Sequence, residues 1–151
     1  MVFVNHGVRQ GGVLSSFLYL VFINDLLKEL ENCSKNTGVL NVSSCCPSLA
    51  DDISCISLSP NGLQTLLNTA YIYANKWRFR FNAAKSCVLT FCSKKCKFDN
   101  KRQWFLGKCL IPNEETYKHL GIIVDHKCST SATITEACNK GRKSYFALSV
   151  P

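Results

Sequence analysis

The stretch LADDI, residues 49–53, decides the fold, because it sets two adjacent carboxylates, Asp51 and Asp52, between two short apolar segments. These segments are residues 39–42 and 53–58, and each has the length and composition of a β-strand. We therefore predict a β-hairpin with the two acids near its tip. Neighbouring residues of an extended strand face opposite sides, so Asp51 and Asp52 need not be equivalent, although a hairpin tip eases that restriction.

Adjacent carboxylates suit a hard divalent cation. Mg2+ prefers oxygen ligands and commonly binds through one or two carboxylates together with substrate phosphates. An isolated Asp-Asp pair is more often a pair of solvated turn residues, and that alternative stays open at this point. The apolar flanks of Asp51 and Asp52 make a purely solvated role less natural.

Three helices are predicted around this hairpin. Residues 15–31 follow a glycine-containing turn and keep apolar side chains at helical spacing from Leu14 to Phe22, which predicts a helix with a buried apolar part. Ser59 and Pro60 form a good helix start, because serine caps free amides and proline fits the first turn. The apolar stripe that follows extends this second helix to near residue 81. A third helix is predicted over residues 131–148.

Strands and turns alternate in the second half of the chain. We predict a strand over residues 87–92, a hairpin over 103–111 that turns at residues 107–108, and a strand over 117–124. A length of 151 residues fits one domain. The whole pattern predicts an α+β fold in which helices pack on one face of an antiparallel sheet.

Charge is divided unequally along the chain. Residues 1–75 carry 3 basic and 5 acidic side chains, whereas residues 76–151 carry 15 and 5, within a net charge of +8. This asymmetry favours a surface that attracts a polyanion, with nucleic acid ahead of a membrane because no basic amphipathic helix is obvious. Residues 76–108 hold ten of the basic residues, interleaved with aromatic rings on which nucleotides could stack. A solvated charged face with core aromatics is the alternative.

Ten cysteines would suggest disulfides in a secreted protein, but the first residues do not form a secretory signal. We therefore expect free thiols in a reducing intracellular compartment, the cytoplasm or the nucleus. The cysteine spacings lack the paired pattern of a zinc site. The apolar run of residues 13–23 is shorter than the ~20 residues of a membrane span, so we expect a buried helix there and no membrane partner.

Four motifs occur along the chain: GVRQGGVLS at residues 7–15, ADD at 50–52, WRFRFNAAKS at 77–86 and YKHLGI at 117–122. In this order they resemble those of reverse transcriptases of the non-long-terminal-repeat retrotransposon type. The first is closed by NDL at residues 24–26, as in that branch. The resemblance covers most of residues 7–125. It implies a partial palm over residues 1–125, and over residues 126–151 the helical start of the connection toward the thumb.

The resemblance also implies a role for each matching residue. Asp51 would bind catalytic Mg2+ with Asp52 assisting, and Lys85 would approach the triphosphate as a cation; the simpler alternative for Lys85 is an ordinary exposed lysine. The implied partners are an RNA template, a DNA primer and a deoxynucleoside triphosphate. The residues implied to contact them are Arg9, Gln10, Gly11, Leu120 and Gly121. Backbone flexibility at a helix start and plain strand packing are the alternatives for these five.

The chain also departs from the family pattern. The family's other metal-binding aspartate belongs to a motif before the glycine-rich turn, and only residues 1–6 precede Gly7. We therefore expect weak or absent Mg2+ binding and no useful polymerase activity from residues 1–151 by themselves. Ser16 stands where the family commonly has proline, and Leu49 where it has an aromatic. A non-catalytic nucleic-acid-binding remnant and a domesticated interaction module are the alternative functions.

Overall fold

The structure is a computed structural model that describes residues 12–33, 38–39, 42–43, 45–91, 102–119 and 121–149. The chain divides into two compact units, residues 1–81 with 105–108, and residues 82–104 with 109–151. The predicted glycine-rich turn at residues 7–11 lies outside the described residues, as does residue 120.

Three α-helices and ten short strands occur in the described residues. The helices are α1 (Ser15–Cys33), α2 (Pro60–Lys76) and α3 (Ser131–Ser149). The strands are β1 (Gly38–Val39), β2 (Val42–Ser43), β3 (Ser48–Leu49), β4 (Asp52–Ile53), β5 (Val88–Leu89), β6 (Trp104–Leu106), β7 (Cys109–Ile111), β8 (Asn113–Glu114), β9 (Thr116–His119) and β10 (Ile122–Asp125).

The described strands pair two by two. The pairs β1–β2, β3–β4 and β9–β10 are antiparallel, β5–β8 is parallel, and β6 pairs with β7. The predicted α+β class is confirmed by these ladders and the three helices. The predicted hairpin over residues 103–111 is confirmed as β6 and β7, and the predicted strand over 87–92 is found as the shorter β5.

Helix α1 forms where predicted, but the prediction that its first apolar residues are buried was wrong. Leu14, Phe17, Leu18 and Val21 are exposed, and the buried residues of α1 are Ile23, Leu26 and Leu30. Helical spacing identifies an apolar face but does not say which part of it another element covers. Here α1 packs against α2, where the Tyr73 hydroxyl donates a hydrogen bond to the Phe22 carbonyl at 2.9 Å.

Helix α2 begins as predicted and ends earlier than predicted. The Ser59 hydroxyl accepts a hydrogen bond from the Gly62 amide at 3.1 Å, which caps the first turn. The helix ends at Lys76 because Arg78 takes a φ of 58° and the chain closes in a Schellman motif. In this motif the amide of Phe79 donates to the Ala74 carbonyl and the amide of Arg78 to the Asn75 carbonyl.

In the second unit, the prediction of a single strand over residues 117–124 was wrong. The chain forms the hairpin β9–β10, in which His119 pairs with Ile122 and Thr116 with Asp125. Gly121, at the turn, has a φ of 84°, a conformation that reverses the chain and that glycine adopts without steric cost. Helix α3 forms where predicted, and its Thr133 hydroxyl donates to the Ile123 carbonyl of β10 at 2.7 Å.

Candidate functional site

The two predicted metal-binding carboxylates lie on the hairpin β3–β4. Leu49 pairs with Asp52, so Ala50 and Asp51 are the two turn residues between the strands. The acids are therefore at the tip, as predicted. The prediction that residues 39–42 form one strand of this hairpin was wrong, because residue 39 pairs with residue 42 in a separate hairpin. A two-residue turn closes a much shorter loop than a pairing of residues 39–42 with 53–58, and short loops lose less entropy on closure.

Ala50 gives this turn its shape. Its φ is 51°, in the left-handed region that favours glycine. The favoured two-residue hairpin loops contain such a conformation because it matches the right-handed twist of the flanking strands. For an alanine this conformation costs about 1–2 kcal/mol. The hairpin thus holds Asp51 directly after a strained residue, and strained backbone often accompanies a functional site.

The donor set of the turn fits a hard cation in part. Asp51 and Asp52 are both exposed, so their carboxylate oxygens are open to solvent and to an approaching ligand. Within the described residues no group of three or more His, Cys, Asp or Glu side chains could hold a metal ion. Two carboxylates match the number that Mg2+ commonly takes from a protein when phosphates complete its shell.

Tyr19 of α1 is a neighbour of the turn that sequence reasoning missed. Burial raises the pKa of the half-buried Tyr19 phenol, and the negative charges of Asp51 and Asp52 raise this pKa further. The phenol therefore lies within electrostatic range of both carboxylates. A tyrosine within an apolar helix carries no sequence signal for such a position, because the position depends on where the fold places α1.

Lys85 and Gly121 belong to the second unit. Lys85 is exposed at the end of the short 3-10 turn Ala83–Lys85, and its carbonyl accepts a long hydrogen bond of 3.5 Å from the Tyr117 hydroxyl. The Tyr117 ring stacks on His119, the last residue of β9 before the turn that contains Gly121. The structure therefore brings the Lys85 turn beside strand β9. Four further predicted site residues, Arg9, Gln10, Gly11 and Leu120, lie outside the described residues.

The aromatic residues of the basic stretch 76–108 divide between core and surface. Phe79 packs its ring against Phe22 and Tyr73 at centroid distances of 5.7 and 6.1 Å. Trp104 is buried, and its indole nitrogen donates to the Asn113 side chain at 2.7 Å. The exposed aromatic side chains that the structure describes in this stretch are Trp77, Phe91 and Phe105.

Trp77 combines the two properties that suit a nucleic acid. Its side chain is 48% exposed, and the Lys76 ammonium lies 5.8 Å from the centre of its ring. Arg78 and Arg80 are exposed on either side of the packed Phe79. The segment therefore presents a partly exposed ring with one cation over it and two further exposed cations within three residues along the chain, a combination that suits base stacking and phosphate contacts.

None of the described helices is both long enough and apolar enough to cross a bilayer.

Comparison with known proteins agrees with the motifs. Residues 1–124 match the family described as reverse transcriptase (RNA-dependent DNA polymerase). The chain is 31% identical over 138 residues to the RNA-directed DNA polymerase from mobile element jockey of Drosophila melanogaster, and 29% identical over 141 residues to that of Drosophila funebris. The matches cover 85% and 88% of this chain but 14% of each relative, and no solved structure matches. The chain belongs to the reverse transcriptase family, as a segment related to the polymerases of jockey-type retrotransposons.

Proposed function

We propose that this segment supplies the metal-binding hairpin of an RNA-directed DNA polymerase. The observation that carries the proposal is the β3–β4 turn, which presents the adjacent exposed carboxylates of Asp51 and Asp52 in a chain of the reverse transcriptase family. Members of that family generally use Mg2+. When bound, a pair of such cations would stabilise the attacking and leaving oxygens of an in-line phosphoryl displacement.

Each proposed site residue acts through its own chemistry. Asp51 and Asp52 would hold the cations by their carboxylate oxygens, since Asp51 ends the two-residue turn and Asp52 begins β4. Lys85 is exposed and carries a positive charge that suits the triphosphate of the incoming nucleotide. Support for these roles comes from the family motifs and from the exposure of all three side chains.

Template and primer contacts complete the proposal. The glycine-rich turn, with Arg9, Gln10 and Gly11, would allow close backbone approach to the template base and incoming nucleotide. Leu120 and Gly121 would contact the primer strand, and Gly121 lies at the turn of the β9–β10 hairpin. The basic and aromatic residues of 76–108 would bind nucleic acid backbone and bases. We further propose that residues 1–125 form part of a palm and that residues 126–151 start a helical connection toward a thumb.

A paramagnetic cation tests the metal site directly. Mn2+ added in small amounts with a deoxynucleoside triphosphate should broaden the amide resonances of residues 50–53 before those of other residues. The double variant Asp51→Asn, Asp52→Asn should lose this selective broadening because neutral amides bind a hard cation poorly.

The matched control is Asp25→Asn, which makes the same exchange at an exposed aspartate of the same unit. It should leave the broadening of residues 50–53 unchanged. Equal broadening in the double variant and in the native chain would show that the turn does not hold the cation.

A further inference from the structure

Three thiols lie together at the base of the β3–β4 hairpin. Cys45 is fully buried, Cys46 is 8% exposed and Cys55 is partly exposed. The sulfur atoms of Cys45 and Cys46 are 3.4 Å apart, and the side chains of Cys46 and Cys55 are hydrogen-bonded. All three are free thiols in the structure.

The backbone places Cys46 and Cys55 directly opposite each other. The register of β3–β4 pairs Ser48 with Ile53, and two further hydrogen bonds continue it toward the base. The Ser54 amide donates to the Pro47 carbonyl at 2.9 Å, and the Ile56 amide donates to the Cys45 carbonyl at 2.7 Å. The facing residues between these two bonded pairs are Cys46 and Cys55.

This position has the geometry that a disulfide needs. Facing residues of an antiparallel ladder that do not share hydrogen bonds have Cα atoms about 4.5 Å apart, closer than those of bonded pairs. Disulfides commonly join residues whose Cα atoms are about 4.4–6.8 Å apart. Cys45 instead faces Ile56 in a hydrogen-bonded pair. Its sulfur contacts that of Cys46 because the two residues are neighbours in the chain.

We propose that Cys46 and Cys55 are an oxidisable dithiol, which a small disulfide such as oxidised glutathione converts into a cross-strand disulfide. The bond joins the two arms of the hairpin that carries Asp51 and Asp52. It closes a loop of which the turn is the centre, and thereby restricts the motion of the two arms relative to each other. The dithiol is a modification site independent of whether the chain polymerises nucleotides.

The thiol–disulfide exchange with oxidised glutathione proceeds in two steps. The Cys55 thiolate attacks one sulfur of oxidised glutathione, the glutathione disulfide bond breaks, and one glutathione leaves as a thiolate that takes up a proton. The Cys46 thiol then loses its proton, and its sulfur attacks the Cys55 sulfur of the mixed disulfide and releases the second glutathione. The two cysteines are oxidised and glutathione disulfide is reduced to two thiols.

Cys55 is the better attacking group of the two. The hydrogen bond from the Cys46 thiol lowers the pKa of Cys55, and the same bond raises the pKa of Cys46. As a residue, Cys55 is partly exposed, whereas Cys46 is 8% exposed. Cys46 then resolves the mixed disulfide from the opposite strand.

Peptide mapping tests the pairing. The full 151-residue chain is equilibrated with oxidised and reduced glutathione, the remaining thiols are alkylated, and the chain is cleaved before aspartate residues. Cleavage before Asp51 separates Cys46 from Cys55, so a disulfide appears as two linked peptides that have lost two hydrogen atoms. We expect this link in the native chain and in Cys45→Ser, and its loss in Cys46→Ser and in Cys55→Ser.

The same experiment in urea supplies the control for folding, because an unfolded chain should lose the preference for Cys46 over the other thiols. Tandem mass spectrometry of the native chain identifies the linked cysteines even if a variant does not fold. A mixed disulfide of glutathione on Cys55 without the cross-link would overturn the proposal. A Cys45–Cys55 link in Cys46→Ser as abundant as the native link would overturn it as well.

Discussion

Gly107 and Gly121 both adopt positive φ angles, of 63° and 84°, but glycine is needed at the two positions for different reasons. A Cβ atom at Gly107 would lie 2.2 Å from a ring carbon of Tyr71, on helix α2. A Cβ atom at Gly121 would meet nothing within 4 Å. Backbone conformation alone therefore demands glycine at 121, whereas conformation and space both demand it at 107.

The variants Gly107→Ala and Gly121→Ala separate these two effects. Gly121→Ala should lower the free energy of unfolding by about 1–2 kcal/mol, the cost of a left-handed conformation for alanine. Gly107→Ala should cost more, because the Tyr71 ring must also move. Urea denaturation of both variants measures the difference, and equal losses would contradict the close approach of Tyr71 to residue 107.

Ala50 is the reverse case, since a residue with a Cβ atom occupies a left-handed position. Ala50→Gly should raise the free energy of unfolding by about 0.5–1 kcal/mol, because relief of strain exceeds the extra entropy that glycine brings to the unfolded chain. Ala84→Gly is the control, since Ala84 does not have a positive φ. This variant should have a free energy of unfolding lower by about 0.5–1 kcal/mol. Thermal unfolding of both variants checks the opposite signs.

Among the elements, α2 has well-defined ends. The Ser59 cap and the Schellman motif satisfy backbone groups that the helix itself leaves unpaired. Phe79, just beyond the end, packs on Tyr73 within the helix. These local bonds hold the helix that supplies the buried residues Leu66, Ala70 and Tyr73.

Removal of the cap should destabilise this element measurably. Ser59→Ala should lower the free energy of unfolding by about 1 kcal/mol, because the Gly62 amide loses its acceptor. Ser59→Asp keeps an acceptor at the same position and should retain most of the native stability. Denaturation followed by circular dichroism distinguishes the two, and an equal loss in both would mean that the hydroxyl does not act as a cap.

Helix α3 is linked to strand β9 by an ion pair. The Lys118 ammonium donates to the Glu136 carboxylate at 2.5 Å, and Lys140 approaches the same oxygen at 3.3 Å. The hydrogen bond from Lys118 lowers the pKa of Glu136, with a smaller contribution from the hydrogen bond of Lys140. Since the folded-state pKa is lowered, the pair stabilises the fold above the ordinary pKa of glutamate, and this contribution is lost as the pH falls through the lowered value.

Replacement of Lys118 by methionine should raise the pKa of Glu136 toward its ordinary value. It should also reduce the loss of folding stability that protonation of this carboxylate causes at low pH. Lys140→Met should raise the pKa less, because its hydrogen bond contributes less. Carbon NMR titration of the Glu136 carboxyl gives both shifts, and a larger effect from Lys140 would reverse our ranking of the two lysines.

At the scale of the whole molecule, the proposed binding of nucleic acid depends on charge. Removal of one cation that neutralises a phosphate should reduce the slope of log affinity against log salt by about 0.7–0.9. The triple variant Lys76→Ala, Arg78→Ala, Arg80→Ala should therefore bind single-stranded RNA with a slope smaller by about 2–3. Fluorescence anisotropy at several salt concentrations measures this slope.

Lys28→Ala is the control for this experiment, since it removes an exposed charge from α1 in the acidic half of the chain. Its slope should stay close to the native value. An unchanged slope in the triple variant would exclude the segment around Trp77 as a nucleic-acid surface.

The sequence by itself determined what depends on neighbouring residues. The Ser59-Pro60 signal located the start of α2, residues 107–108 located a turn, and the order of the four motifs identified the family. These features are readable because capping, turn geometry and helical spacing are short-range effects. The roles of Lys85 and of the residues around Gln10 stay predictions.

Only the tertiary structure decided which surfaces are covered and which distant residues meet. The stripe from Leu14 to Val21 has the spacing of a buried face yet lies exposed, whereas Ile23 and Leu26 contribute to the core. Tyr19 came within range of Asp51, and Cys46 came opposite Cys55, through strand register and helix packing. Burial and register depend on what the rest of the chain places against an element, and a local pattern does not contain that information.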